Sequence, residues 1–262
     1  MKGVTGVLAF LLFGAAVVAP ARAVTFDWST VSWMPGATSG SFDIDPSNPG
    51  NDITIEITGD TFHFDPTNPA IGTTALNGLA NTGGTGQAGL QMGLDFGAGT
   101  TSVTVTVTFH YAQGVNATFN LWDVDREDST RDNNKTVDRI SNIFGSVAGG
   151  GTVAASSVTT GLAISQTGTG QAAVYSGSLP TADSPNGTLG VAFTDSPVTS
   201  ISLTYDPGTP SNSGAQWIAL SNIDFTTPVP ETGASLGALS LCLGMLLVSR
   251  IRQRVPMPCA QG

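Results

Sequence analysis

From Ser102 to Tyr111 the chain alternates without a break. Val103, Val105, Val107, Phe109 and Tyr111 fall on one side, and Thr104, Thr106, Thr108 and His110 fall on the other. Successive side chains of an extended strand point to opposite faces, so this run specifies a strand with one buried face and one wet face. The same period recurs at Ile53, Ile55 and Ile57, at Leu189, Val191 and Phe193, and at Ile201, Leu203 and Tyr205. Gly and Pro clusters punctuate these runs at short intervals, and no long stretch between the chain's two ends carries a helical period. The expected fold is all-β: an antiparallel β-sandwich, jelly-roll-like. It is flanked by an N-terminal signal helix and a C-terminal transmembrane sorting helix.

The two ends carry those flanking segments. Lys2 is followed by an apolar run from Val4 to Val18, and then Ala21-Arg22-Ala23 has the small-x-small form of a signal-peptidase site. Cleavage is expected after Ala23. At the other end, Val229-Pro230-Glu231-Thr232-Gly233 precedes an apolar stretch from Ala234 to Ser249, closed by Arg250, Arg252 and Arg254. As a helix that stretch would be roughly 24 Å long against a hydrocarbon core of about 30 Å. It suits a segment that pauses in the membrane, with its arginines cytoplasmic and the Pro-Glu motif outside. The expected organisation is a signal peptide over 1–23, an exported domain over 24–227, a sorting signal over 228–254 and a short tail over 255–262.

This tail, together with the strand-like Trp217 to Thr226 before it, resembles the PEP-CTERM class of exosortase-sorted bacterial exoproteins. Val229 to Gly233 is also similar to the Leu-Pro-x-Thr-Gly signal of sortase substrates, in which Thr232 would be the residue attacked. The exosortase resemblance leads, because the domain is lysine-poor and has no Lys-rich stalk before the motif. Either resemblance implies a signal peptidase and a sorting transpeptidase or protease as partners. Both imply a protein that is anchored transiently in the inner membrane and then held at the cell surface or in the extracellular matrix.

Charge and cysteine usage bear on that destination. The chain has nine basic and nineteen acidic residues. Only Arg126, Arg131, Lys135 and Arg139 of the basic set lie between Val24 and Pro230, whereas Glu231 alone of the acids lies outside, so the domain is net −14. Such a surface repels phosphate backbones and argues against nucleic acid as a partner. Cys242 and Cys259 both lie in the C-terminal tail, which leaves the domain without a disulfide or a thiolate metal site.

Chemistry-bearing residues concentrate in one segment, Asp123 to Arg139, read as a strand end and an exposed loop. On a strand Asp123 and Asp125 would share a face with Cα atoms about 6.6 Å apart. With Glu127, Asp128 and Asp138 they could hold one calcium ion through oxygen ligands. The spacing is not that of an EF-hand, because Asp128 stands where that loop needs glycine. Trp122 beside the cluster is the candidate sugar contact, although its position on the face opposite Asp123 also suits core packing. His63 and His110 are isolated, with no Ser or Cys nucleophile motif near them. The glycine-rich run Thr82 to Thr100 contains no lysine and is therefore not a phosphate loop; it reads as a loop between strands. The repeated Phe42-to-Pro49 and Phe62-to-Pro69 segments read as Asp-Pro turns. The residues therefore point to an exported surface or matrix protein with a structural or adhesive role, not an enzyme. A carbohydrate-binding or adhesin module, with extracellular polysaccharide as its partner, is the first alternative, and a secreted glycoside hydrolase is the second.

Overall fold

The computed structural model describes residues 21–64, 69–73, 87–96, 102–128, 135–180, 185–208 and 214–227. The signal core, the motif Val229 to Gly233, the apolar stretch and the arginines Arg250, Arg252 and Arg254 all lie outside them. Among the described residues no helix is long and apolar enough to cross a membrane. Arg22–Pro228 forms one compact unit. Its strands are β1 (Arg22–Phe26), β2 (Ser39–Phe42), β3 (Ile53–Gly59), β4 (Ala70–Thr73) and β5 (Ala88–Phe96). Then come β6 (Val103–Phe109), β7 (Val115–Trp122), β8 (Arg126–Asp128), β9 (Lys135–Val147) and β10 (Thr152–Ala154). The last are β11 (Ser157–Thr160), β12 (Ile164–Thr167), β13 (Val174–Gly177), β14 (Leu189–Pro207) and β15 (Gly214–Thr227). Every pairing between them is antiparallel.

The longest strand makes the sandwich. The first part of β14, up to Phe193, lies between β7 and β11, whereas the part from Ser200 onward lies between β6 and β9. One strand cannot have four neighbours in a single layer, so β14 passes from one leaf to the other. It does so where its register on β7 shifts between Phe193 and Val198. Asp195-Ser196-Pro197 lies in that stretch. Proline has no N–H for a ladder and is tolerated at such an irregularity. The two alternating runs read from the sequence as separate strands are thus one strand with a corner in it. One leaf runs β2-β3-β6-β14-β9, and the other runs β11-β14-β7-β15, with β5 and β1 sharing the far side of β15.

The inward faces of both leaves meet in one core. In β6 the four apolar residues are buried and the threonines between them are half-exposed. Ile55, Val105 and Leu203 from one leaf join Phe119, Val191 and Ile223 from the other in a single cluster. One expectation fails here. The glycine-rich run from Thr82 to Thr100 contains β5, a strand paired with β4 and β15, and is not simply a loop. Leu90, Met92 and Leu94 alternate into the core. The intervening Gly89 and Gly93 lie beneath aromatic rings, Trp122 on the first and Trp217 on the second. The signal was the Leu-x-Met-x-Leu alternation, which the high glycine content obscured.

Candidate functional site

The acidic segment does not form the two-carboxylate strand face expected of it. β7 stops at Trp122, and Asp123 takes a left-handed backbone with φ 64°. That turn breaks the alternation, so Asp123 and Asp125 are not successive side chains on one strand face. Val124 is buried in the core. Asp138, expected on an exposed loop, is 4% exposed within β9. Its carboxylate accepts a bond from the Tyr205 hydroxyl at 2.7 Å and one from the Asp125 N–H at 3.2 Å. The loop is pressed hard onto β13: a Cβ on Gly177 would fall 1.8 Å from the Asp125 carbonyl oxygen. Only glycine allows that approach. Arg139 pairs with Asp206 on β14. Among the described residues no three carboxylate, imidazole or thiolate groups are arranged to hold a metal ion. The side chains of Glu127 and Asp128 are outside the described set.

Burial pushes the Asp138 carboxyl well above the usual carboxylate range, and the charges of Asp125 and Asp123 add to the effect against the opposing Tyr205 bond. A group whose native pKa is raised contributes stability that is fully present below its unfolded pKa, about 3.9. That contribution is lost as pH rises through the native value. Asp138→Asn carries a fixed neutral amide that mimics the protonated acid. The variant is expected to melt a few degrees above the parent at pH 8, with the difference closing toward pH 4. Melts across that range check this, and a difference that stays constant with pH would refute it.

Of the two uses open to Trp122, packing is the one its surroundings favour. It is 3% exposed, which leaves no ring face for a sugar. It packs with Ala219 and Trp217 in a small cluster separate from the main core. The alternation of β7 places it on the outer face with Asn120 and Thr118, while Leu121 and Phe119 point into the core.

That outer face carries the site that sequence reasoning missed. Two transverse rows of residues cross the leaf side by side. In the first, strand register aligns Ser157, Ala192, Thr118, Asp224 and Thr25 across five strands. In the second it aligns Thr159, Gly190 and Asn120, and continues to the register shift of β15 at Ser221 and Asn222. The central strand presents only Gly190 and Ala192, while its neighbours present hydroxyl and amide side chains. A groove of about 410 Å³ results. A Cβ on Gly190 would fall 2.5 Å from the Thr159 hydroxyl and 3.1 Å from the Asn120 amide oxygen. Glycine keeps that trough open.

Hydrogen bonds fix the walls. The Thr25 hydroxyl donates to Asp224 at 2.6 Å, and the Ser221 hydroxyl accepts from the Asn120 N–H at 2.8 Å. Asn222 is held from behind, accepting the Trp28 N–H at 3.0 Å. Among the described residues the lining contains one carboxylate, Asp224, and no basic side chain. The signal in the sequence was Leu189-Gly190-Val191-Ala192-Phe193: large inward residues alternating with the smallest outward ones. A strand of that kind marks a depression on its wet face.

No protein-family model and no curated protein matches the chain. Among solved structures it is similar to the carbohydrate-binding module TmCBM61 in complex with β-1,4-galactotriose. The identity is 12% over 65% of this chain and 86% of that one, with a TM-score of 0.36. A likeness that slight transfers neither topology nor ligand.

Proposed function

We propose that this is an exported, non-catalytic bacterial surface or matrix protein whose β-sandwich holds neutral polysaccharide in the outer-face groove. The observation that carries the reading is the groove's chemistry: hydroxyls, amides and a single carboxylate around a glycine floor. Pockets for apolar ligands are lined mainly by hydrophobic side chains, and this one is not. The described lining residues include no cation to favour phosphate or sulfate, whereas donors and acceptors on rigid strands suit a polyhydroxylated chain. Glycoside hydrolysis ordinarily needs two carboxylates flanking the bond, and among the described residues the lining offers one. The sandwich is of jelly-roll type, a topology supported by β5, β6, β7 and β9 alternating between the leaves.

The route to the surface rests on the ends of the chain. The N-terminal segment directs export, and Val229 to Gly233 is the motif read by an exosortase-type or sortase-type enzyme. The apolar stretch before Arg250, Arg252 and Arg254 serves as the transient anchor. Glycan-array screening followed by calorimetry tests the binding reading. Asn120→Ala and Asp224→Ala are each expected to weaken the best ligand by about tenfold, the value of a hydrogen bond to a bound ligand. The far-UV spectrum should not change. An array without a hit, or affinities unaffected by both substitutions, would refute it.

A further inference from the structure

β1 begins at Arg22, two residues before the expected start of the mature chain. Arg22 and Ala23 pair with Thr227 and Thr226 in the same register as the rest of the strand. The Arg22 guanidinium donates to the Asp45 carboxylate and to the Ser47 hydroxyl. Asp45 is 3% exposed, although it carries a formal charge. Burial acts to raise its carboxyl, but the Ser47 hydroxyl and N–H, followed by the Arg22 charge, outweigh it and keep it below the usual range. Cutting after Ala23 would remove the one cation seated on that carboxylate among the described residues. The Arg22 side chain is half-exposed, but the cut would leave a buried carboxylate without its cation, which costs more than losing a pair of surface charges. It would also strip the end of β15, where Arg22 is the strand partner of Thr227.

The sequence offers a second site. Ala19-Pro20-Ala21 has the same small-x-small form as Ala21-Arg22-Ala23, displaced by two residues. We infer that the signal peptide is cleaved between Ala21 and Arg22, so that Arg22 is the first residue of the mature protein and a working part of its fold. The step is hydrolysis: water adds across the Ala21 carbonyl carbon and the Arg22 nitrogen, leaving a carboxylate on Ala21 and an ammonium on Arg22. The new terminus then lies opposite Thr227, whose chain runs on through Pro228 to the sorting motif. Both ends of the mature domain therefore meet on two paired strands, and Arg22 locks the shorter of the two to the Asp45 turn. The inference rests on the export reading.

Mass spectrometry of the full chain expressed with its own signal in a bacterial envelope gives the test. A mature N-terminus at Arg22 is the expected result. A terminus at Val24 overturns this inference and leaves export standing, whereas retained Met1 overturns both. Two substitutions separate the sites, because Ala21 is common to them. Ala23→Tyr should leave processing unchanged, and Ala19→Tyr should accumulate precursor; the opposite pattern places the cut after Ala23. Arg22→Gln supplies a readout on the folded product. The mature domain should melt roughly 3–6 °C lower, while an unchanged melting point means that Arg22 is not in it.

Discussion

Asp52→Ala is expected to destabilise the domain by about 3–5 kcal/mol, a large part of the roughly 5–15 kcal/mol that holds a typical domain together. Asp52 is fully buried. Its carboxylate accepts the N–H groups of Ile44 at 2.7 Å and Asp45 at 2.6 Å. It also accepts the Asn48 amide at 2.6 Å and the Tyr111 hydroxyl at 3.1 Å. Four donors from two segments thus converge on one side chain, and they close the turn between β2 and β3 against the end of β6. Alanine would leave all four without an acceptor, and an unmade bond to a buried group costs more than a made one contributes. The Tyr111 hydroxyl responds to the same arrangement, raised by burial and then by the Asp52 charge. A melting point lower by roughly 10 °C is the expected readout. Asp52→Asn should fall between the two, because its amide keeps one acceptor and turns a donor toward the rest. An alanine variant melting within about 2 °C of the parent would show that the turn does not depend on this carboxylate.

Trp28→Ala should cost about as much, roughly 3–5 kcal/mol, from lost burial and the cavity it leaves. Trp28 is fully buried, edge-on to Phe26 with ring centroids 4.7 Å apart and to Trp33 at 6.0 Å. Its indole N–H donates to the Ser221 carbonyl at 2.9 Å. Together with its backbone bond to Asn222, this braces the β15 irregularity from the core side while the same two residues line the groove. Trp28→Phe separates the two roles: it restores most of the apolar contact but removes the indole donor from the Ser221 carbonyl. The phenylalanine variant is expected to recover more than half of the stability lost in the alanine variant. On the proposed glycan-binding reading it should still bind its ligand more weakly than the parent, because the groove wall has lost its brace. Chemical denaturation of both variants, with binding measured on the phenylalanine one, checks this. Equal stability of the two variants would contradict it.

The parts of the fold that were legible in the sequence were local. β6 could be read because a half-buried strand has a period of two, and Val103 to Phe109 keep it without an exception. Ile53 to Ile57 and Ile201 to Tyr205 were legible for the same reason. The corner of β14 was not. Asp195-Ser196-Pro197 has the chemistry of a turn, and whether a strand ends there or bends into another leaf depends on the partners waiting on each side. Asp123 illustrates the other limit. Its left-handed backbone is set by the bond from the Val124 N–H to the Gly187 carbonyl and by the close seat of Asp125 on Gly177. Both partners are more than fifty residues away in the chain.

By itself, the residue pattern determined an all-β, thiol-free, acidic domain and which face of each regular strand would be buried. Those properties follow from side-chain period and composition, which neighbouring residues carry. The tertiary structure alone decided which wet faces lie side by side. Ser157, Ala192, Thr118, Asp224 and Thr25 become one row only when five strands take a common register. The groove is a product of pairing between distant segments, and register is a property of pairs that no single strand contains.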